Sequence, residues 1–267
     1  MNVKRWAFLP LLVSGIVYGA DSTTPEPLSA NPADSPARIK SGKVFASTDV
    51  TVPPALGPLP ARVLVTVFSD FQCPVCRRSA DATQQIAEEF PGDVRVEFWQ
   101  HPLAIHSRAE DAAVASLAAQ RQGKFWEYHD EVFRNQSAID PASLSRYAEQ
   151  LGLDVGRFRS DCASPELRAR AKSEGAAAER LGAENTPAFM VNGKLRSGWG
   201  SWAGFRSDVE RELVLARRLE EQGTPIEQIV ERRAQAQIQD AGLLAAYREL
   251  VLRIVPAAST KATRTKN

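Results

Sequence analysis

The chain has 267 residues, enough to bury one sizeable core with an appendage. At 43% hydrophobic and 24% charged it has the composition of an ordinary globular protein, and a net charge of +1 excludes the broad basic field of a nucleic-acid binder. Three cysteines are too few for a disulfide-built scaffold.

Lys4 and Arg5 precede an apolar run from Trp6 to Tyr18, followed by Gly19 and Ala20, which is the pattern of a secretory signal peptide over residues 1–19. Val17 and Gly19 fit a cut before Ala20. An uncleaved run would instead anchor the protein, although it is short for a membrane span. Either outcome predicts a periplasmic or otherwise exported protein in an oxidising compartment. Residues 20–38, rich in Ser, Thr, Pro, Ala and Asn, form a flexible linker with almost nothing to bury. The short alternation from Ile39 to Val52 predicts a strand pair closed by Pro53-Pro54.

The β-branched run Val63 to Phe68 predicts a strand, and a helix follows from Pro74 to about Phe90. Pro91-Gly92 turns the chain into a second strand over residues 94–98, which Pro102 ends. A helical block follows over about residues 103–182, with segments at 109–122, 124–135, 143–150 and 165–181. Ala188 to Val191 returns as a strand, Asn192-Gly193 signals a tight hairpin turn, and Lys194 to Arg196 pairs back. Trp202 to Leu219 reads as a helix. Residues 39–219 are therefore one domain, and 220–256 are a C-terminal helical extension. Thr224, Pro225 and Glu227 spell a capping box, and an apolar stripe starts at Ile226, Ile229 and Val230 and resumes at Ile238, Leu244, Leu250, Val251 and Ile254. A break is expected at Gly242. The extension either docks on the core or pairs two copies into a homodimer. Residues 257–267 are expected to be a disordered tail.

Cys73-Pro74-Val75-Cys76 sits at the junction of the first strand and helix, which is where chemistry is expected. Cys73 falls at or near the N-cap, where unpaired backbone N–H groups and the helix dipole favour an anion, and Pro74 suits the first helical position. A thiolate there can have its pKa lowered to roughly 3.5–7.5. Arg77 and Arg78 either add charge that holds the thiolate or are solvated on the surface. A zinc site normally needs four protein ligands, and no second pair of this kind exists in the sequence. A c-type haem site is excluded because Arg77, not His, follows Cys76. Cys162, near Phe158, reads as a small buried hydrophobe, with a regulatory or intermolecular disulfide as the sharper alternative. His106, just before a helix, could approach the active-site side of the inserted domain, but it reads first as structural or capping. Phe98, Trp99, Phe125, Trp126 and Tyr128 are core positions.

The stretch Phe68 to Arg78 resembles the active-site segment of the DsbA-like thiol-disulfide oxidoreductases. The resemblance continues through Pro102-Leu103, His106, Ala109, Gly123 to Trp126, Gly182, Thr186 to Phe189 and Asn192-Gly193, covering about residues 50–219. It implies an α/β fold with a thioredoxin-like sheet and an inserted helical domain. It implies that Cys73 is the exposed nucleophile and Cys76 the resolving thiol, supported by Pro74 and Val75. Thr186 and Pro187 then form a cis peptide facing them that binds substrate backbone. It implies no metal and no organic cofactor. The implied partners are cysteine-containing exported proteins and a membrane or thiol redox partner, with no nucleic acid. Two departures stand out. The family often has Glu six residues before the first cysteine, where this chain has Val67, and the Pro-Val dipeptide lacks the His of the most oxidising members. These leave open whether the protein donates disulfides or acts as a reductase or isomerase for a dedicated partner. A holdase on the same scaffold is a further alternative.

Overall fold

A computed structural model describes residues 47–253. The signal peptide, linker and C-terminal tail expected from the sequence lie outside the described residues. In chain order the elements are β1 (Ala55–Leu56), β2 (Val63–Ser69), α1 (Pro74–Glu89), β3 (Val94–Gln100), α2 (Ala109–Gln120), α3 (Phe125–Arg134) and α4 (Pro141–Gln150), then α5 (Val155–Cys162), α6 (Pro165–Arg180), β4 (Ala188–Val191), β5 (Lys194–Ser197), α7 (Trp202–Glu221), α8 (Ile226–Gln237) and α9 (Ala241–Leu250). The strands form one sheet in the order β1-β3-β2-β4-β5. Strands β2 and β3 are parallel, and the other pairs are antiparallel. The five helices α2 to α6 all fall between β3 and β4, so the helical block is an insertion, as the sequence predicts.

Strand β2 is buried along its whole length, and its residues alternate between the two faces of the sheet. Val63, Val65 and Val67 join one apolar cluster with Val94, Val96 and Phe98 of β3 and Phe189 and Val191 of β4. That face is covered by α1, by Phe205, Val209 and Leu213 of α7, and by the insertion. Leu64 and Phe68 point the other way, with Trp99, Ala188 and Met190, into a second cluster. Ala177, Ala178 and Leu181 from the end of α6, together with Ala234, Ile238, Ala246, Tyr247 and Val251 of the C-terminal extension, close that second face. The extension therefore docks on the core and completes its second layer. The turn at Asn192 (φ 46°) and Gly193 (φ 90°) is the hairpin that the dipeptide signals, and α8 lies so close that a Cβ on Gly193 would come within 2.9 Å of Ala234 Cβ.

Three local expectations are corrected. Within the described part of the segment expected to be a strand pair, residues 47–52 form no strand, because Asp49 Oδ1 accepts from the Thr51 backbone and hydroxyl and folds the chain into a turn. The short β1 follows Pro53-Pro54 instead. The capping box at Thr224 does not form. Gly223 (φ 91°) and Thr224 close α7, their N–H groups donating to the Glu220 and Leu219 carbonyls, so Thr224 belongs to the preceding helix end. Helix α8 then starts at Ile226 without a side-chain cap. The extension breaks at residues 238–240 rather than at Gly242, because Asp240 caps α9 by accepting from Leu243 N–H at 2.6 Å.

Candidate active site

Cys73 is the N-cap of α1, with extended backbone (φ −72°, ψ 120°), and Pro74 is the first helical residue. Both thiols of the pair are free in this structure. Cys73 is 5% exposed rather than open to solvent as expected, because the Thr186 carbonyl covers its sulfur, and with Cys76, 1% exposed, it belongs to the cluster under α1. The loop that leads to Cys73 is fastened from several sides. Asp70 Oδ1 accepts from Gln72 N–H at 2.7 Å, and the Cys73 N–H donates to the Asp70 carbonyl at 3.1 Å. Gln136, just beyond α3, donates through Nε2 to the carbonyls of Phe71 (2.9 Å) and Cys73 (2.8 Å). Behind it the Phe71 ring packs on Phe98 at 5.6 Å and on Phe133 at 4.9 Å between centroids.

The Thr186–Pro187 peptide is cis and lies against the nucleophile, with the Thr186 carbonyl accepting from the Cys73 thiol at 3.3 Å. The sequence brings these together across 113 positions. The two sulfurs have opposite acidities. The Cys73 thiol is pulled well below the ordinary thiol range, to about 5, chiefly by the hydrogen bond from Cys76, then by the Thr186 side chain and the backbone N–H groups of Cys76 and Val75. Burial alone would raise it. The Cys76 thiol is pushed up, first by burial and then by its bond to Cys73. A stabilised thiolate beside a protonated neighbour is the charge arrangement of a nucleophile with a resolving partner.

Arg77 and Arg78 are exposed and form no ion pair among the described residues, so the solvated reading describes them. Cys162 is partly buried at the end of α5, against the insertion core, and burial pushes its thiol up to about 12. That is the chemistry of an inert packing thiol. Phe98, Trp99, Phe125, Trp126 and Tyr128 are all buried, as expected of core positions.

Sequence reasoning missed Gln136 and gave Asp70 no role of its own. The Asp70 carboxylate is buried and accepts from Leu103 N–H at 2.9 Å, and its Oδ2 lies 2.7 Å from His106 Nδ1. His106 therefore reaches the active-site loop rather than capping α2, whose N-cap is Arg108. The signal available was the pairing of a buried-type position with a histidine two residues before that N-cap, which sequence spacing alone does not connect.

This geometry places the chain in a class: a thioredoxin-fold domain with a C-x-x-C pair at a helix N-terminus facing a cis-proline loop. A family model described as Thioredoxin matches residues 49–211, more than half of the sequence, and the chain belongs to that family. The chain is similar to a thioredoxin-like oxidoreductase from Silicibacter pomeroyi, with 30% identity, coverage of 60% of this chain and 91% of that one, and a TM-score of 0.55. Its fold is also that of the thiol-disulfide exchange protein alpha-DsbA2 from Wolbachia pipientis, with 18% identity, coverage of 62% and 89%, and a TM-score of 0.55. Among curated proteins it is similar to a Na(+)/H(+) antiporter, NhaA 3, from Salinispora tropica, 38% identical over 144 residues. That match covers 53% of this chain and only 22% of the antiporter. Among the described residues no helix is long and apolar enough to cross a membrane.

Proposed function

We propose that this protein is an exported thiol-disulfide oxidoreductase that donates the Cys73–Cys76 disulfide to cysteine-containing exported proteins. The observation that carries this reading is the position of Cys73 at the N-cap of α1, 3.3 Å from the Thr186 carbonyl of the cis-proline loop, with Cys76 buried behind it. A substrate thiolate attacks Cys73 Sγ, the Cys73–Cys76 bond breaks, and Cys76 leaves with the electron pair and takes up a proton. A second substrate thiolate attacks the substrate sulfur of the mixed disulfide, and Cys73 leaves as a thiolate. The lowered pKa of the Cys73 thiol makes it a good leaving group and stabilises the reduced enzyme, which favours donation. Thr186 and Pro187 would hold substrate backbone while the exchange runs. A membrane or thiol redox partner then regenerates the disulfide, with no metal or organic cofactor.

Redox equilibration of the protein against glutathione buffers, read by the mass shift of alkylated thiols, tests the proposal. A midpoint near or above that of the glutathione couple supports a donor, whereas one well below it makes the protein a reductase. A pair that does not titrate overturns the exchange reading. Cys73→Ser is expected to remove exchange completely while the fold is retained, as followed by circular dichroism.

A further inference from the structure

Two segments that the exchange chemistry does not use form the rim of the nucleophile. One is the first turn of α1, where Pro74, Arg77 and Arg78 are exposed. The other is the loop of residues 102–108 between β3 and α2. Three contacts stitch that loop to the segment just before Cys73. Leu103 N–H donates to Asp70 Oδ2 at 2.9 Å, His106 Nδ1 lies 2.7 Å from the same oxygen, and Arg108 N–H donates to Gln72 Oε1 at 2.7 Å. The loop is thereby fastened beside Cys73, yet Ile105 on it is 83% exposed and the Arg108 side chain is half exposed. An aliphatic side chain held in water gains free energy when a partner covers it.

The cations on this rim have little work inside the protein. Arg77 and Arg78 form no ion pair among the described residues, and hydrogen bonds rather than guanidinium charges are the main causes that lower the Cys73 thiol. Asp81, one turn beyond Arg77 on α1, interacts with Asp130, His129 and Arg134 of α3 instead. Arg108 reaches Asp111 only at 3.7 Å, and Asp111 also serves Arg168 at 3.4 Å. The Asp70 carboxylate is buried and occupied by the loop. On the cis-proline loop the exposed acid is Glu184, two residues before Thr186. Arg77 follows Cys73 by about 6 Å along the helix axis, and its Cα–Cβ bond tilts back toward the helix start. A chain joined to Cys73 Sγ therefore passes within reach of Arg77, with Arg78 beside it.

We propose that this rim selects the substrate, favouring cysteines flanked by an acidic and an aliphatic residue. Arg77, Arg78 and Arg108 take the carboxylate, and Ile105 takes the apolar contact. The proposal rests on the exchange reaction above and names the class of chain it acts on. Backbone pairing at Thr186 and Pro187 would not discriminate among side chains, so selection falls to the groups around it. The three exposed cations attract an acidic flank and repel a basic one, which acts on the encounter rate as well as on the bound state. Glu184 repels acid from the flank that crosses its own loop, which gives the preference a direction along the substrate.

The test measures mixed-disulfide formation between the oxidised full chain and synthetic single-cysteine peptides, by acid quenching and mass spectrometry. The peptides carry Asp-Leu, Ser-Leu, Lys-Leu or Asp-Ser next to the cysteine, on one side or the other. Each rate is divided by that peptide's rate with neutral hydroxyethyl disulfide, which removes the effect of the neighbouring charge on the peptide thiol itself. On at least one flank, Asp-Leu should react on the order of 10-fold faster than Lys-Leu at low salt, and the gap should close near about 0.5 M salt. Arg77→Gln with Arg78→Gln should erase most of the gap, and Arg77→Glu with Arg78→Glu should reverse it. Ile105→Ser should slow Asp-Leu relative to Asp-Ser on the order of 10-fold. One normalised rate for all charges on both flanks overturns the assignment, as does a gap that survives Arg77→Glu with Arg78→Glu. Equal slowing of every peptide in Arg77→Gln with Arg78→Gln, together with a raised Cys73 alkylation midpoint, shows that the arginines serve the thiolate and overturns it too. An Ile105→Ser protein that treats Asp-Leu and Asp-Ser as the wild type does overturns the apolar contact. If the oxidised protein forms no mixed disulfide with any peptide, the exchange reading itself falls, and the substrate class with it.

Discussion

Val67 and Phe68 are neighbours in β2, yet one faces the cluster that holds Cys76 and the other faces the C-terminal extension. On the Val67 side the sheet keeps the resolving thiol dry. No carboxylate sits at that position, and burial dominates the acidity of Cys76. The Phe68 side tolerates buried charge. Glu97 is held there by Arg95 at 3.0 Å and Arg253 at 2.8 Å. The contrast teaches that burial on one face holds the Cys76 thiol up while hydrogen bonds, chiefly from Cys76, pull the Cys73 thiol down, whereas the other face contributes stability through packing and paired charges. The two faces can therefore be perturbed separately.

The largest expected effect is on the second face. Tyr247, fully buried in the extension, should cost about 3–5 kcal/mol when replaced by Ala. Urea unfolding measures the loss, and the alkylation midpoint of Cys73 should stay near 5. A shift of that midpoint would break the separation of the faces. A smaller effect is on the first face and depends on pH. The Cys73 thiol lies at about 5 in the folded protein against an ordinary 9.0, so its contribution to the reduced form is fully present above about pH 9. It is lost as the pH falls through about 5. The reduced protein should therefore gain stability relative to the oxidised one as the pH rises from about 5 to 9, as followed by denaturant midpoints of both forms. Parallel pH profiles would contradict the assignment. The smallest expected effect comes from Thr186→Val. The Thr186 side chain lowers the Cys73 thiol less than Cys76 does, so this variant should raise the Cys73 pKa modestly, read by the pH dependence of iodoacetamide labelling.

Much of this architecture was legible because its signals are local. The run Val63 to Phe68, Pro74 at the start of α1 and the Asn192-Gly193 turn each state their structure within a few residues. The extension was legible as helices with an apolar stripe, but its boundaries were not. Thr224 could cap α8 or close α7, and the closing bonds to α7 took it, which no property of the sequence around Thr224 alone decides. At the site, Cys73 and Cys76 announce themselves by spacing, while Gln136 and the Asp70–His106 contact join residues 63 and 36 positions apart. Such contacts leave no periodic trace and become visible only when the insertion is folded against the sheet.

The two bonds from Gln136 have a consequence for any attempt to miniaturise the protein. One amide on the insertion satisfies the backbone carbonyls of both Phe71 and Cys73. Excising residues 103–182 to leave a bare sheet and its flanking helices would leave two backbone carbonyls of the nucleophile loop without their donor and expose the aromatic faces behind it. The insertion is thus part of the scaffold that shapes the nucleophile, and a minimal catalyst cut from this chain would need a substitute donor at that one point.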